Sequence, residues 1–317
     1  MTMGPHTPQF GVALPPRHLE LVEMMRAVRY VDGSNIELIT VWDHPYRPTE
    51  FDTVALLSYL AAVTHTAQLW MKVANLPFRL PPILAKHAAT IDVLSGGRFQ
   101  LGIGTGAEVY PGGFSSFGAP EWKPGESVDH VIEAVQVVRA LLESKGAPVN
   151  FSGEHYALND GVLGPLPLRR VPIWIGAVRP RMLKTTGRLA DGWTASNHAV
   201  PMSKIDESNA IIDDAAAEAG RAPEDIRRGY NMGGVIELGA SAAATKDVLA
   251  LDRHGAAVAG SPMDWAERFA TLVLEHRMDT FIFWPMGSDW DRQLRAFAEE
   301  VIPAVRDLVR AANPKEH

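Results

Sequence analysis

The chain has 317 residues, of which 46% are hydrophobic and 21% charged, a balance that suits one large core and excludes a disordered chain. The formal charge of -7, with no local cluster of Lys and Arg, argues against a nucleic-acid partner, and the absence of cysteine excludes disulfides, thiolate metal sites and cysteine nucleophiles. Residues 1–8 carry neither a basic segment nor an apolar stretch, and no long uncharged apolar run follows, so the expectation is a cytoplasmic protein with no membrane partner.

In chain order, the predicted strands cover residues 10–14, 36–42, 69–76, 99–103, 173–176, 192–195, 228–233 and 280–284. Predicted helices cover residues 17–31, 52–64, 81–94, 127–144, 179–190, 204–219, 242–253 with 263–275, and 291–311. Short apolar runs that alternate with segments of helical period predict the α/β class and a (β/α)8 TIM-type barrel, formed as a single domain over residues 1–317. Two segments interrupt the rhythm. Residues 107–124, with Pro111, Gly112, Gly113, Pro120 and Pro124, read as a long loop over the site, and residues 149–170 as an excursion with a small hairpin.

In such a barrel, chemistry collects where strands end. The second strand ends in Trp42-Asp43-His44-Pro45-Tyr46, where Pro45 keeps His44 extended and aimed at the mouth. His44 is the first catalytic candidate, with Asp43 expected to set its tautomer; the plainer reading is a turn histidine. The fourth strand leaves a helix closed by Ser95-Gly96-Gly97 and runs into Gly102-Ile103-Gly104-Thr105-Gly106, glycines that would let a flat or anionic ligand approach the backbone. Ala107 completes a degenerate G-x-G-x-x-A, but the prolines and glycines beyond it rule out the helix that a dinucleotide site needs at once. Glu108 follows as a second candidate proton donor, or as a solvated loop acid.

After the fifth strand, Gly176-Ala177-Val178-Arg179-Pro180-Arg181 sets a proline at a helix start, where free N–H groups and two arginines suggest a phosphate cradle. Trp42, Tyr46, Trp122, Tyr230 and Trp284 fall near strand ends and loops and suggest an aromatic substrate pocket for a small organic molecule. The histidines form no H-E-x-x-H pattern, so no metal is expected, and neither a G-x-S-x-G elbow nor a Walker loop occurs.

Several motifs occur together in order: Asp43-His44, Leu76-Pro77-Phe78-Arg79, Leu94-Ser95-Gly96-Gly97-Arg98, Leu101-Gly102-Ile103-Gly104-Thr105-Gly106, Pro172-Ile173-Trp174-Ile175-Gly176 and Gly187-Arg188-Leu189-Ala190-Asp191-Gly192-Trp193. Through them nearly the whole chain resembles the luciferase-like flavin- and deazaflavin-dependent oxidoreductases. The resemblance implies a cofactor ring at the barrel mouth, with Asp43, Val73, Thr105, Gly106, Gly176, Ala177, Val178 and Arg179 as cofactor-binding residues. It also implies a non-prolyl cis peptide before Val73, although Lys72 stands where relatives usually carry glycine or serine. The branch it looks most like, that of methylenetetrahydromethanopterin reductase, moves hydride with the deazaflavin coenzyme F420. That branch often has a glutamate directly after Gly-Thr-Gly, where this chain has Ala107 before Glu108. The expected function is hydride transfer between F420 and a small organic substrate. The alternatives are a luciferase-like monooxygenase using FMN and, from another class, a non-catalytic ligand-binding barrel. A homodimer through the early helices is the expected assembly.

Overall fold

The computed structural model describes residues 6–106, 109–239, 255–286 and 289–312. Its strands are β1 (Gln9–Ala13), β2 (Leu38–Val41), β3 (Gln68–Asn75), β4 (Phe99–Gly104), β5 (Val149–Ser152), β6 (Ala157–Gly161), β7 (Ile173–Gly176), β8 (Gly192–Ser196), β9 (Arg227–Ile236), β10 (Val258–Gly260) and β11 (Thr280–Pro285). Eight of them, β1, β2, β3, β4, β7, β8, β9 and β11, pair in parallel in that order, and β11 returns to β1 to close the barrel. The predicted (β/α)8 architecture and all eight of its strands are therefore present.

The helices are α1 (Leu21–Val31), α2 (Thr53–Val63), α3 (Pro81–Leu94), α4 (Gly113–Ser116), α5 (Pro124–Leu142), α6 (Pro180–Leu189), α7 (Ile205–Glu218), α8 (Pro262–Leu274), α9 (Trp290–Ala296) and α10 (Ile302–Ala312). Helix α5 starts earlier than expected because Pro124 occupies its first turn and the Glu126 carboxylate accepts the Lys123 N–H at 3.2 Å. A π-helical turn, Phe297–Val301, divides the predicted last helix. Strand β10, short and paired with the far end of β9, was not anticipated. The predicted helix at 242–253 lies outside the described residues. No described helix is long and apolar enough to cross a membrane.

Residues alternate between two cores. Outward-facing Val12, Ile39, Leu69, Met71 and Leu101 pack under the helices, whereas Ala13, Leu38, Trp70, Trp174 and Ile282 meet inside the barrel. The lumen is filled mainly by two indoles: Trp70 and Trp174 lie 4.4 Å apart between ring centroids. They fit because their neighbours are glycines; a Cβ on Gly192 would lie 2.2 Å from the Trp174 ring. The Trp174 indole N–H donates to Gln100 at 2.6 Å, and the Gln100 amide donates to Gln68 at 2.5 Å, a chain that satisfies the Trp174 indole and the Gln100 amide.

Two of the recognised motifs turn out to brace the opposite, N-terminal face. Gly96 and Gly97 take φ of +69° and +84°, closing α3 as expected. Arg98 then bonds the carbonyls of Ala61, Thr64, Ala67 and Ser95 and the Thr64 hydroxyl. Asp191 accepts the Ile173 N–H at 2.7 Å and pairs with Arg139 and Arg170 at 2.5 and 2.6 Å. The excursion is the antiparallel pair β5–β6, hung from α5 by Glu133, which accepts the backbone N–H groups of Glu154, His155 and Tyr156.

Candidate active site

The C-terminal mouth is shaped by a break in β3. Its pairing with β4 shifts register between Met71 and Ala74, at a non-prolyl cis peptide joining Lys72 to Val73. The glycines of β4 and β7 surround the Val73 side chain. A Cβ on Gly102 would sit 2.7 Å from Val73 Cγ1 and one on Gly104 would sit 2.6 Å from Val73 Cγ2, while Gly176 leaves ordinary contact at 3.5 Å. Gly106, at φ +91°, leaves room for Asn75 and Pro77 in the same way. By sequence alone the glycine run is open backbone for a ligand. In the structure its first task is to receive the bulge of β3, which brings Val73, itself partly exposed, to the mouth. Thr105 follows at the partly exposed tip of β4.

His44 stands at the end of β2 in a turn closed by the Arg47 N–H donating to its carbonyl at 2.9 Å. Its Nδ1 lies 3.2 Å from the Tyr46 hydroxyl, and Nε2 has no protein partner among the described residues. Burial, aided by the Arg47 charge and opposed by Asp43, pushes the His44 pKa down to about 4, so the ring is neutral at physiological pH.

Asp43 does not orient that ring, contrary to expectation. Its fully buried carboxylate accepts Arg79 Nη2 at 2.6 Å, Arg79 Nε at 3.0 Å and the Asn75 N–H at 3.0 Å. Arg79 also reaches Asp52 at 2.6 Å, the N-cap of α2, so one guanidinium joins the ends of β2 and β3 to a helix start. Asp43 thus braces the bulge through Arg79 and the Asn75 N–H. In the sequence Arg79 stands only as the end of the Leu76–Arg79 motif; its place as counter-ion to Asp43 follows from the pairing of β2 with β3.

Of the five aromatic candidates, the structure brings Trp42 and Trp284 together. Their rings meet edge to face at 5.6 Å, Trp42 donating its indole N–H to the Glu50 carboxylate at 2.9 Å and Trp284 packed on the lumenal cluster. The other three are placed elsewhere. Tyr46 is buried beneath the long loop, stacked on Phe78 at 5.5 Å and bonded to the Val109 N–H, while its carbonyl accepts the Tyr110 hydroxyl. Tyr230 is fully buried on the outer side of β9, its hydroxyl donating to the Val200 carbonyl at 2.6 Å. Trp122 stacks on His130 at 3.7 Å, and His155 covers that ring in turn at 4.0 Å, which ties the loop to α5 and the hairpin. Each is apolar enough to read as pocket, but sequence cannot say which way a side chain at a strand end turns. Within the long loop, Phe114 is buried against Tyr46 and Phe78, so this part is docked, while Phe117 is exposed. Glu108 lies outside the described residues.

At the end of β7 the Ala177 carbonyl accepts the Trp193 indole N–H at 2.9 Å, and Val178 and Arg179 are exposed. Helix α6 opens at Pro180 with no side-chain cap, leaving its first N–H groups free for an anion. Arg181 is taken up by Asp129 and by the Gly125 carbonyl, whereas Arg179 has no side-chain partner among the described residues.

A closed parallel barrel with a glycine-lined bulge, a neutral histidine and an uncapped helix gathered at one mouth defines a (β/α)8 barrel. The chain matches the luciferase-like monooxygenase family over residues 8–269 and belongs to it. It is 31% identical over 214 residues to a 5,10-methylenetetrahydromethanopterin reductase of Archaeoglobus fulgidus, a match covering 67% of this chain and 60% of that enzyme. It is 28% identical to an F420-dependent glucose-6-phosphate dehydrogenase of Amycolatopsis mediterranei, across 95% of this chain and 96% of that one. An F420-dependent secondary alcohol dehydrogenase solved with an F420-acetone adduct superposes with a TM-score of 0.83 at 19% identity, over 95% of this chain and 100% of the other.

Proposed function

We propose that the protein is an oxidoreductase that transfers hydride between coenzyme F420 and a small organic substrate. The observation that carries this reading is the β3 bulge: Val73, seated among Gly102, Gly104 and Gly176, forms an apolar shelf suited to a planar ring. The names of the F420-dependent glucose-6-phosphate dehydrogenase and secondary alcohol dehydrogenase support a deazaflavin over other planar ligands. Residues of this chain fit that group at both ends: the shelf for its ring, and the uncapped start of α6 with Gly176, Ala177, Val178 and Arg179 for its phosphate. Thr105 and Gly106 complete the rim beside the shelf.

When bound, the deazaflavin supplies or accepts the hydride. The protein's own residues do the rest. His44, neutral and unpartnered at Nε2, holds or moves the proton that accompanies hydride transfer at a carbonyl or hydroxyl of the substrate. Trp42 and Trp284 wall off water on the substrate side. Glu108 is the second proton-handling residue in this reading. The assembly is a homodimer, formed through the exposed apolar residues of α2 and the start of α3.

A second reading, an FMN-dependent monooxygenase, is supported by the family's own description. Fluorescence titration of the protein with F420 and with FMN, followed by anaerobic turnover with secondary alcohols and ketones, separates the two. Tight F420 binding with oxygen-independent turnover supports hydride transfer, and exclusive binding of FMN with oxygen-dependent turnover overturns it. Binding without any turnover would leave a ligand-binding barrel.

A further inference from the structure

Beneath the shelf, the lumen contains a cation that pairs with none of the described residues. Lys72 follows Trp70 by two residues on β3, so its side chain enters the barrel on the same face, and its Nζ lies over the Trp70 ring at 5.7 Å from the centroid. It makes no hydrogen bond and no ion pair among the described residues, and no charged group acts on it; burial alone moves its pKa, down to about 8. Across the lumen, Thr194 of β8 pairs in register with Gly176, two residues beyond Trp174. Thr194 is 4% exposed and its hydroxyl has no partner among the described residues. Both groups therefore stand one inward step above the Trp70–Trp174 pair that seals the barrel below. The Trp70 indole N–H, fully buried, is also without an acceptor among the described residues.

An ammonium held over an indole with a free hydroxyl across the lumen costs stability unless it is used. We propose that Lys72 and Thr194 form an anion-binding floor of the active site, which takes a negatively charged oxygen of the molecule bound above it. That oxygen belongs either to an ionised cofactor ring or to a carboxylate or enolate of the substrate, and the chemistry of the floor is the same for both: charge from Lys72 and a hydrogen bond from Thr194. The substrate pocket, apolar at Trp42 and Trp284, is thereby given one charged contact at its base. This assignment rests on the mouth being the ligand site proposed above.

The test uses the full-length protein with Lys72→Met, Lys72→Arg and Thr194→Val. Three probes are titrated: F420, sodium benzoate, and benzamide as its uncharged counterpart. If the anion is the substrate's, benzoate binds the wild type at least tenfold more tightly than benzamide, Lys72→Met abolishes that preference and Lys72→Arg restores part of it. If the anion is the cofactor's, the pH midpoint at which bound F420 ionises, read from its visible band, rises by about one unit in Lys72→Met, a tenfold weaker hold on the anion. Thr194→Val moves whichever readout responds in the same direction and by less. Lys72→Met is expected to melt at or above the wild-type temperature, which guards against a folding artefact. Failure of F420 to bind the wild type would sink the cofactor reading alone, since the benzoate arm needs no cofactor. Equal benzoate preference and an equal midpoint in wild type and Lys72→Met would overturn the anion floor.

Discussion

Val73 and Gly104 occupy one space: a methyl group on Gly104 would lie 2.6 Å from Val73 Cγ2. The shelf at the mouth therefore depends on an absent side chain one strand away. Gly104→Ala must push Val73 out of place, an overpacking cost of about 1–3 kcal/mol. F420 affinity is expected to fall more than tenfold while circular dichroism stays that of a folded barrel. Unchanged affinity in a folded Gly104→Ala protein would mean that the ring rests elsewhere.

His44→Ala should lower turnover by at least about a hundredfold, with cofactor affinity only modestly reduced. Because the folded-state pKa of about 4 lies below the ordinary value of 6.5, the unfolded chain takes up this proton first as the medium is acidified. The ring's effect on stability is thus neutral above about pH 6.5 and becomes a loss as the pH falls towards 4. Replacement by Gln should flatten that acid decline in denaturation midpoints. Normal turnover in a folded Ala variant would return His44 to the role of a turn residue.

Asp43→Asn tests the brace. Arg79, largely buried, would keep only Asp52 as a carboxylate partner, and breaking a buried pair costs about 3 kcal/mol. Chemical denaturation should report that loss. The pH-rate profile of the remaining folded enzyme is expected to keep its wild-type shape; a changed shape would restore Asp43 as the partner of His44.

Trp122 and Trp284 should separate cleanly. Trp122→Ala loses its stack on His130 and about 2 kcal/mol of stability, with KM unchanged. Trp284→Ala, at the mouth, is expected to raise KM for the substrate found by screening. The reverse pattern would place the loop, not β11, at the pocket.

On α2 and at the start of α3, Tyr59, Leu80 and Ile83 are all at least half exposed. Light scattering should find a dimer for the wild type and a monomer for Tyr59→Glu combined with Ile83→Glu. A wild-type monomer would remove the homodimer from the proposal.

What the sequence determined by itself was the alternation of elements. Period-two and helical apolar patterns are local, each set by a handful of consecutive residues, and they located all eight barrel strands and the hairpin excursion. The positions of His44 and of the Gly176–Arg179 turn at strand ends were legible for the same reason, since proline restricts the residue before it and is preferred in a helix's first turn. Only the tertiary structure decided which partners these residues found. Asp43 met Arg79 rather than its neighbour in the chain, Tyr46 and Tyr230 turned into the protein, and the glycines of β4 made room for Val73 of β3. Lys72 is a lone cation among the described residues because barrel closure sets it over Trp70 with none of their carboxylates acting on it. Those outcomes depend on which strands lie side by side and which face each side chain takes, and that information resides in barrel closure rather than in any local stretch of residues.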